Sequence, residues 1–167
     1  MTKSKYTRKE YTTAESAYMA GLMDGEGTFF IGNYGNKDKN RGQGFFQTVL
    51  KVTTTDKCIA EWLFNTFGGW HNEYTPAQRA KNCKGPVYSW TCTGDRLTHI
   101  CEIMLPYLVA KKNQAEILLQ MRQTYGEHEY VKGKKGVQTI PEHIHQLRLQ
   151  LMKALQSLHC RNYTLPN

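Results

Sequence analysis

The chain has 167 residues, with 22 Lys and Arg against 14 Asp and Glu, which gives a formal net charge of +8 at pH 7. This length suits one domain with its own core, and the excess of basic residues points to a polyanionic partner, whether DNA, RNA or an anionic membrane. No apolar run approaches the roughly 18 residues needed to cross a bilayer, and no apolar signal-peptide core follows the N-terminal lysines, so the sequence predicts a soluble, intracellular protein.

The N-terminal segment, residues 1–11, is polar and basic without hydrophobic periodicity, which indicates either an arm lying along phosphate or a plain disordered terminus. The first helix is predicted to begin near Ala14, because Thr12 and Glu15 have the spacing of a capping box. Glycines on either side of Glu26 end this helix after about three turns.

One side of this helix carries a row of small residues, Ala14, Ala17 and Gly21, which lets another backbone approach closely. The helix then leads into two carboxylates, Asp24 and Glu26, separated by a single glycine. An ordinary amphipathic helix with a glycine C-cap and two incidental acids would explain the periodicity alone. The combination favours a different interpretation, because small residues followed by D-G-E-G suit a tight helix pair that delivers acids better than they suit a core.

A long β-hairpin is predicted after the first helix. Residues 28–34 and 44–54 have the β-branched and aromatic content of strands, and the turn-rich segment 35–42 between them gives the hairpin a basic, amide-rich tip.

The remaining elements are bounded by capping and helix-ending residues. A helix capped by Thr55 or Asp56 ends at Gly68, and strands follow at 70–74 and 86–92. The next helix is capped by Asp95 and runs to Met104. Two further helices begin at the pairs Asn113 and Glu116, a capping box, and Thr139 and Glu142, and the first of them ends at Gly126. The order α-β-β-α-β-β-α, followed by extra helices, predicts an α+β fold with helices on one face of a four-stranded antiparallel sheet. The other face fits a DNA major groove, which accepts a two-stranded ribbon with alternate side chains directed at base edges.

The stretch from Met19 to Gly27 resembles the signature of the LAGLIDADG homing endonucleases, with Met19 and Met23 in place of aliphatic residues, Gly25 at the alanine and Glu26 at the second aspartate. The order of elements continues the resemblance from about residue 17 to about residue 121. It implies the αββαββα homing-endonuclease fold, whose antiparallel sheet is a DNA-binding saddle. The implied divisions are a basic arm at 1–11, a core domain at 12–130 and a C-terminal helical extension packing on the core at 131–167.

The sequence contains one copy of the helix and D-G-E-G pattern, and the resemblance implies that a chain with one motif pairs with itself. The predicted homodimer has an interface through Ala17, Gly21 and Asp24, and its twofold axis predicts a long, pseudo-palindromic target of double-stranded DNA. The implied activity is site-specific hydrolysis of both strands with a staggered cut, for intron homing. Two other functions on this scaffold stay open, an intron RNA-splicing maturase and a DNA-binding regulator that has lost cleavage.

The resemblance also implies a metal site at the dimer axis. Glu26 of each subunit and the backbone carbonyl of Gly25 are predicted to hold Mg²⁺, which Mn²⁺ can replace. Asp24 is an alternative ligand, but as the last helical residue it is predicted to cap the partner helix or brace the seam between the helices.

Two lysines match basic positions around the active-site water of single-motif relatives. Lys57 is predicted to order the attacking water, and Lys111 to stabilise charge on the phosphate, with Lys112 as a substitute. A cation at the start of a helix lowers stability by only a few tenths of a kcal/mol. Lys57 and Lys111 can therefore also be ordinary surface lysines without a catalytic role. Thr53 falls where relatives often place a water-positioning glutamine.

Target reading is predicted for polar side chains of the hairpin, because Asn and Gln can read adenine, and Arg or Lys guanine. The phenylalanines at 29, 30, 45 and 46 break strict alternation, so either one pair is core and the other meets sugar or thymine methyl groups, or the register is wrong. The DNA-reading candidates are Thr28, Asn33, Tyr34, Lys37, Asn40, Arg41, Gln43, Gln47 and Lys51.

Cysteines and histidines offer weaker alternatives. The five cysteines are odd in number, well separated and without a C-x-x-C pair, which favours buried or idle thiols over disulfides or a zinc finger. His143 and His145 lie two apart and resemble a metal pair, but a solvated helix face explains them better.

Overall fold

The protein has an α+β fold with five helices and six strands in the residues that the computed structural model describes, 6–34, 45–74, 85–126, 131–132 and 138–159. The predicted α+β class and the order α-β-β-α-β-β-α are confirmed. The helices are α1 (Thr13–Gly25), α2 (Lys57–Phe67), α3 (Gly94–Met104), α4 (Lys112–Gln123) and α5 (Glu142–His159), with a 3₁₀ turn at Leu105–Tyr107. The strands are β1 (Gly27–Tyr34), β2 (Phe45–Thr54), β3 (Trp70–Tyr74), β4 (Val87–Thr93), β5 (Val131–Lys132) and β6 (Gln138–Thr139).

The first four strands form one antiparallel sheet in the order β1-β2-β4-β3. Side chains on one face, such as Phe29, Leu50 and Trp90, are buried in a single core with residues of the helices. The side chains that alternate with them on β1 and β2 point away from this core and are exposed or half-buried. The sheet therefore has an inner face under the helices and an outer face on the hairpin side that meets solvent.

The hairpin keeps one register along its described length, from Gly27 opposite Val52 to Tyr34 opposite Phe45. Phe29 and Phe46 are buried in the core, whereas Phe30 and Phe45 are exposed on the outer face. The alternative left open by the sequence is thereby decided: each adjacent phenylalanine pair places one ring on each face.

The capping box at the start of α1 is confirmed. The backbone N–H of Glu15 donates to the Thr12 hydroxyl oxygen at 3.2 Å, and the backbone N–H of Thr12 donates to Oε2 of Glu15 at 2.7 Å. The hydrogen bonds that the backbone N–H and the hydroxyl of Thr12 donate to the Glu15 carboxylate lower the pKa of Glu15 from its ordinary value. Met19, Ala20 and Met23 of α1 are buried, which fixes this helix against the core along one side.

The predicted cap of α3 is wrong by two residues. Thr93 is the N-cap, and Gly94 follows with a φ of 69°, a left-handed conformation that glycine adopts without strain. This sharp turn out of β4 starts the helix early and leaves Asp95 inside its first turn. The Asp95 carboxylate there accepts a hydrogen bond from Nη2 of Arg122 in α4 at 2.6 Å, so its partner is another helix and not its own backbone.

The described part of the N-terminal segment, residues 6–11, packs against the helical layer. The Tyr6 hydroxyl lies 2.9 Å from Nδ1 of His99 in α3, and the Tyr11 ring packs on a phenylalanine at the end of α2. These contacts hold residues 6–11 on the helical layer, because the tyrosines give this basic segment apolar surface to bury. Residues 1–5 lie outside the described part of the chain.

Helix α5 packs on α4 and β1. The buried Arg148 donates from Nε to the Thr124 hydroxyl at 2.8 Å and from Nη2 to the Thr124 carbonyl at 2.9 Å, and its guanidinium lies 4.3 Å from the centre of the Tyr125 ring. The Tyr125 hydroxyl donates to the carbonyl of Phe46 at 2.7 Å, which extends this contact to the sheet. Within the described residues, no helix combines the length and the apolar character that a membrane span needs.

Candidate active site at the end of helix α1

Glu26 lies at the junction between α1 and β1. Its backbone N–H donates to the Leu22 carbonyl at 2.8 Å and closes the last helical turn, while its side chain is exposed. The next residue must be small, because a Cβ on Gly27 would lie 2.5 Å from Cα of Met23. Among the described residues, no group donates a hydrogen bond to the Glu26 carboxylate. A close-packed backbone thus presents a carboxylate that a ligand from outside the chain can reach.

Asp24 is engaged within its own chain. Its Oδ2 accepts from the backbone N–H of Val109 at 2.8 Å, and its Oδ1 accepts from the backbone N–H of Lys111 at 2.9 Å. Lys111 is the N-cap of α4 and makes no side-chain cap, and the predicted capping box at Asn113 and Glu116 does not form. Asp24 instead accepts the hydrogen bond of the N-cap backbone N–H. Its negative charge lies at the N-terminal end of α4, where the helix dipole favours an anion. Its bracing role therefore acts on α4 of the same chain.

The Lys111 side chain in turn contacts the end of α1, the helix that carries Asp24. Its ammonium donates to the carbonyl oxygens of Met23 at 2.9 Å and of Gly27 at 2.8 Å. Carbonyls at the end of a helix lack helical partners, and the dipole there favours a cation. The charge of Lys111 is therefore fixed on the backbone turn that carries Glu26.

Asp24→Asn is expected to lower the free energy of unfolding by about 1–3 kcal/mol. An asparagine side chain has one acceptor oxygen for the two backbone N–H groups, and its own amide would face a donor. Urea denaturation measures the effect. Asp56→Asn is the matched control, since Asp56 is the N-cap of α2 without a side-chain cap bond, and its stability should change little. Equal stability of Asp24→Asn and the wild type would contradict the capping role.

The other predicted catalytic residues lie on β2 and α2. Thr53 lines a cavity of about 320 Å³ together with Glu26 and Asp56. Lys57 follows as the first residue of α2, and its ammonium lies 3.5 Å from Oε1 of Glu61, one turn along the helix. The structure thus brings Thr53 to the Glu26 cavity, whereas Lys57 is not among the residues that line it. Asp56 is a second carboxylate on this cavity, which the sequence suggested only as a helix cap.

The strip of small residues on α1 is uncovered. Ala14, Ala17 and Gly21 are all exposed, and a Cβ on Gly21 would meet no atom within 4 Å. The buried methionines of α1 hold the opposite side of the helix in the core. The strip has the shape that close approach of a second helix requires, and its role as a dimer interface stays a prediction.

The structure places part of the predicted DNA-reading set on the outer face of the hairpin. Asn33 points to the opposite face of β1 but is exposed, because it lies near the end of the strand. On the outer face lie Thr28 and Tyr34 of β1, and Gln47 and Lys51 of β2. Lys37, Asn40, Arg41 and Gln43 lie outside the described residues.

Strand β3 adds outer-face residues that the sequence analysis did not single out. Trp70 pairs with Thr91, which in turn pairs with Lys51 of β2, so all three share this face. Asn72 and Tyr74 follow at intervals of two and lie on the same side. This alternation was the available signal in the sequence.

A family model described as LAGLIDADG endonuclease matches residues 19–125, which is more than half of the chain. The chain belongs to the LAGLIDADG endonuclease family. This match confirms the predicted enzyme class, a hydrolase that acts as a site-specific DNA endonuclease. No curated protein sequence matches the chain.

Solved structures of LAGLIDADG proteins share the fold. I-CvuI, crystallised with a DNA target, aligns with a TM-score of 0.66 at 18% identity over 87% of this chain and 82% of its own. The archaeal, intron-encoded I-Vdi141I, complexed with DNA, gives a TM-score of 0.66 at 15% identity over 92% of this chain and 89% of its own. I-GzeII, in complex with its DNA target, gives 0.61 at 18% identity over 82% of this chain and 43% of its own. These likenesses confirm the predicted homing-endonuclease fold.

The LAGLIDADG family typically uses a divalent metal, and the donors at the end of α1 fit one. Glu26 offers a carboxylate and Gly25 a backbone carbonyl in the last turn, both at the negative end of the helix dipole. Oxygen donors suit Mg²⁺, which keeps several of its waters and so needs few protein ligands. A cation there would also offset the two acids that close this helix.

Cys92 and Cys101 belong to the hydrophobic core and do not line the Glu26 cavity. Burial raises the pKa of the Cys92 thiol to about 12 and also raises the pKa of Cys101, so both are protonated at neutral pH. Cys58 is exposed, and the other two lie outside the described residues. For Cys92 and Cys101, the interpretation as buried thiols is confirmed.

The histidine alternative finds no support in geometry. His143 is exposed, but the His145 ring packs against Phe46 with centroids 5.5 Å apart, so it does not lie on a solvated face. No cluster of three or more His, Cys, Asp or Glu able to hold a metal occurs in the part of the chain that the structure describes.

A larger cavity of about 640 Å³ opens in the helical layer, beside Arg8, Glu102 and Arg122. Arg8 is paired with Glu102 at 2.9 Å, and Arg122 with Asp95 at 2.6 Å. This cavity contains none of the predicted site residues, so cavity size alone does not locate the candidate active site.

Proposed function

We propose that the protein is a homodimeric, divalent-metal-dependent homing endonuclease that cuts both strands of a long, pseudo-palindromic DNA site. The observation that carries this proposal is the exposed Glu26 carboxylate, placed where the uncovered strip of α1 meets the first strand of the sheet. One short segment joins a pairing surface, a metal ligand and a DNA-facing strand. I-CvuI and I-Vdi141I, which share the fold, are both described in complex with DNA.

Pairing of two chains completes the site. When α1 packs on the same helix of a second chain through Ala17 and Gly21, each chain brings its Glu26 close to the twofold axis. The outer face of each sheet then lies on one half-site, which requires approximate twofold symmetry in the DNA. Each chain contributes a formal charge of +8, which supports neutralisation of many phosphates along a long target. The two symmetry-related sites act on opposite strands and give a staggered cut.

The residues of each chain divide the chemistry between them. When bound, Mg²⁺ would supply Lewis-acid chemistry that makes water more acidic and offsets negative charge on the phosphate. The Glu26 carboxylate and the Gly25 carbonyl hold the ion. Thr53, which lines the cavity beside Glu26, and Lys57, the first residue of α2, position water for attack. Lys111 places its positive charge on the Glu26 turn and offsets the charge that the phosphate adds.

Cleavage is expected to require a divalent ion. A plasmid that carries a site selected from a randomised DNA pool should be linearised with Mg²⁺ or Mn²⁺, because both are hard cations that accept oxygen ligands. EDTA should slow cleavage by more than about a hundredfold, and excess Mg²⁺ should restore it. Agarose gels of supercoiled, nicked and linear DNA measure both strand cuts.

Each other outcome has a definite meaning. Undiminished cleavage in EDTA would contradict the metal site. Specific binding of DNA without cleavage in any ion would favour a regulator, and binding confined to intron RNA would favour a maturase.

A further inference from the structure

The outer face of the hairpin carries aromatic side chains that the proposed chemistry does not use. Phe30, Tyr34 and Phe45 are 43%, 49% and 64% exposed. Tyr34 lies directly opposite Phe45, and their rings stack with centroids 5.3 Å apart. A Cβ on Gly32 would lie 2.6 Å from the Tyr34 ring and 3.0 Å from the Phe30 ring, so both rings lie over this glycine and close the gap between them. Phe30, Tyr34 and Phe45 together form one apolar surface, the aromatic ridge.

An exposed ridge of this kind needs an apolar partner. Aromatic side chains bury large areas on binding, and contiguous apolar patches mark interaction sites. The major groove of DNA, which a two-stranded ribbon can enter, presents one apolar group on its base edges, the C5-methyl group of thymine. Neighbouring outer-face residues such as Gln47 and Lys51 are suited to hydrogen bonds, whereas the phenylalanine rings have no hydrogen to donate.

We propose that the aromatic ridge recognises thymine methyl groups in each half-site by van der Waals contact. This inference rests on the proposed function, because the hairpin must lie in the major groove. The rings of Phe30 and Tyr34 both reach the space over Gly32, so the ridge is continuous and covers neighbouring base pairs. The ridge therefore selects thymine at two places in each half-site, an inner one under Phe30 and an outer one under the stacked Tyr34 and Phe45. Twofold symmetry repeats both places in the other half-site.

Deoxyuridine tests this directly, because it pairs like thymidine and lacks only the methyl group. Each thymine of the selected half-site is replaced in turn, and equilibrium binding by the wild-type protein is measured at one fixed salt concentration. At the inner and outer places, each lost methyl group should weaken binding about fourfold, the ratio that corresponds to burial of one methyl-sized group. Thymines elsewhere should tolerate the replacement.

Variants connect the effect to the ridge. Phe45→Ala should weaken binding to the thymine site and abolish the deoxyuridine penalty at the outer place, because the protein and DNA changes remove the same contact. Phe30→Ala should do the same at the inner place. Phe64→Ala is the matched control, since Phe64 is 45% exposed but lies on α2, and it should keep both penalties.

Three results would overturn the proposal: selected half-sites without thymine at the two places, wild-type binding that ignores deoxyuridine there, or penalties that persist in Phe30→Ala and Phe45→Ala. A different result would contradict the proposed function itself. Unmodified DNA would then be neither bound specifically nor cut, and that result would overturn the function and the ridge together.

Discussion

Glu26→Gln is expected to slow DNA cleavage by more than about a hundredfold and to leave specific DNA binding intact. Loss of an outer-shell partner of a metal ligand already costs roughly 10–100-fold, so loss of the carboxylate ligand itself should cost more. Binding should persist, because removal of a negative charge near phosphate lessens repulsion. The fold should also persist, since the Glu26 side chain is exposed and accepts no hydrogen bond from the described residues.

Single-turnover cleavage and electrophoretic band shifts on the same DNA separate the two effects. Glu10→Gln is the control, because Glu10 is an exposed carboxylate in the segment that packs on the helical layer, and this variant should cut at the wild-type rate. Normal cutting by Glu26→Gln would eliminate Glu26 as the metal ligand. If the variant loses both binding and cleavage while its thermal unfolding is unchanged, Glu26 contributes to DNA binding and not to the chemical step.

The start of α1 could be predicted because its determinants are local. Thr12 and Glu15 are three residues apart, so both halves of the capping box depend on one short stretch of sequence. The hairpin is equally local, since a turn-rich segment separates two strand-like runs. The predicted metal-site role of the segment from Met19 to Gly27 came from the family resemblance, because composition and spacing alone do not supply it.

The start of α4 could not be predicted in the same way. Asp24 accepts hydrogen bonds from backbone groups 85 and 87 residues further along the chain. Spacing in the sequence reveals only nearby partners, so it favoured the box at Asn113 and Glu116. The packing of α1 against the segment before α4 supplied a better acceptor, and this tertiary contact decided the cap.

The faces of the hairpin phenylalanines were undecided for another physical reason. Adjacent phenylalanines make both faces of a strand equally apolar, so hydrophobicity cannot choose between them. The choice depends on which residues pair across the strands, and the register that sets Tyr34 opposite Phe45 places Phe46 in the core. The same register brings Phe45 against Tyr34 in the ridge, a cross-strand contact that spacing along one strand does not identify.

Gly21→Leu is expected to stabilise the single chain and to break the dimer. A Cβ at position 21 meets no atom within 4 Å in the chain, and leucine is a better helix former than glycine, so the monomer should gain about 0.5–1 kcal/mol of unfolding free energy. Across the helix pair, the larger side chain occupies the space that the partner backbone needs. Overpacking typically costs about 1–3 kcal/mol, and the twofold axis introduces the change twice, so the dimer dissociation constant should rise at least about thirtyfold.

This prediction is specific because chain stability should rise while dimer affinity falls, whereas general damage to the fold would lower both. Sedimentation velocity over a range of concentrations gives the dissociation constant, and thermal unfolding at a concentration where the wild type is monomeric gives the stability of the chain. Gln156→Leu is the control, since it adds the same side chain to an exposed position of α5 and should remain dimeric. Gly21→Ala should fall between the wild type and Gly21→Leu. A Gly21→Leu protein that stays dimeric and cuts both strands would move the interface away from α1 and separate Glu26 from its symmetry mate.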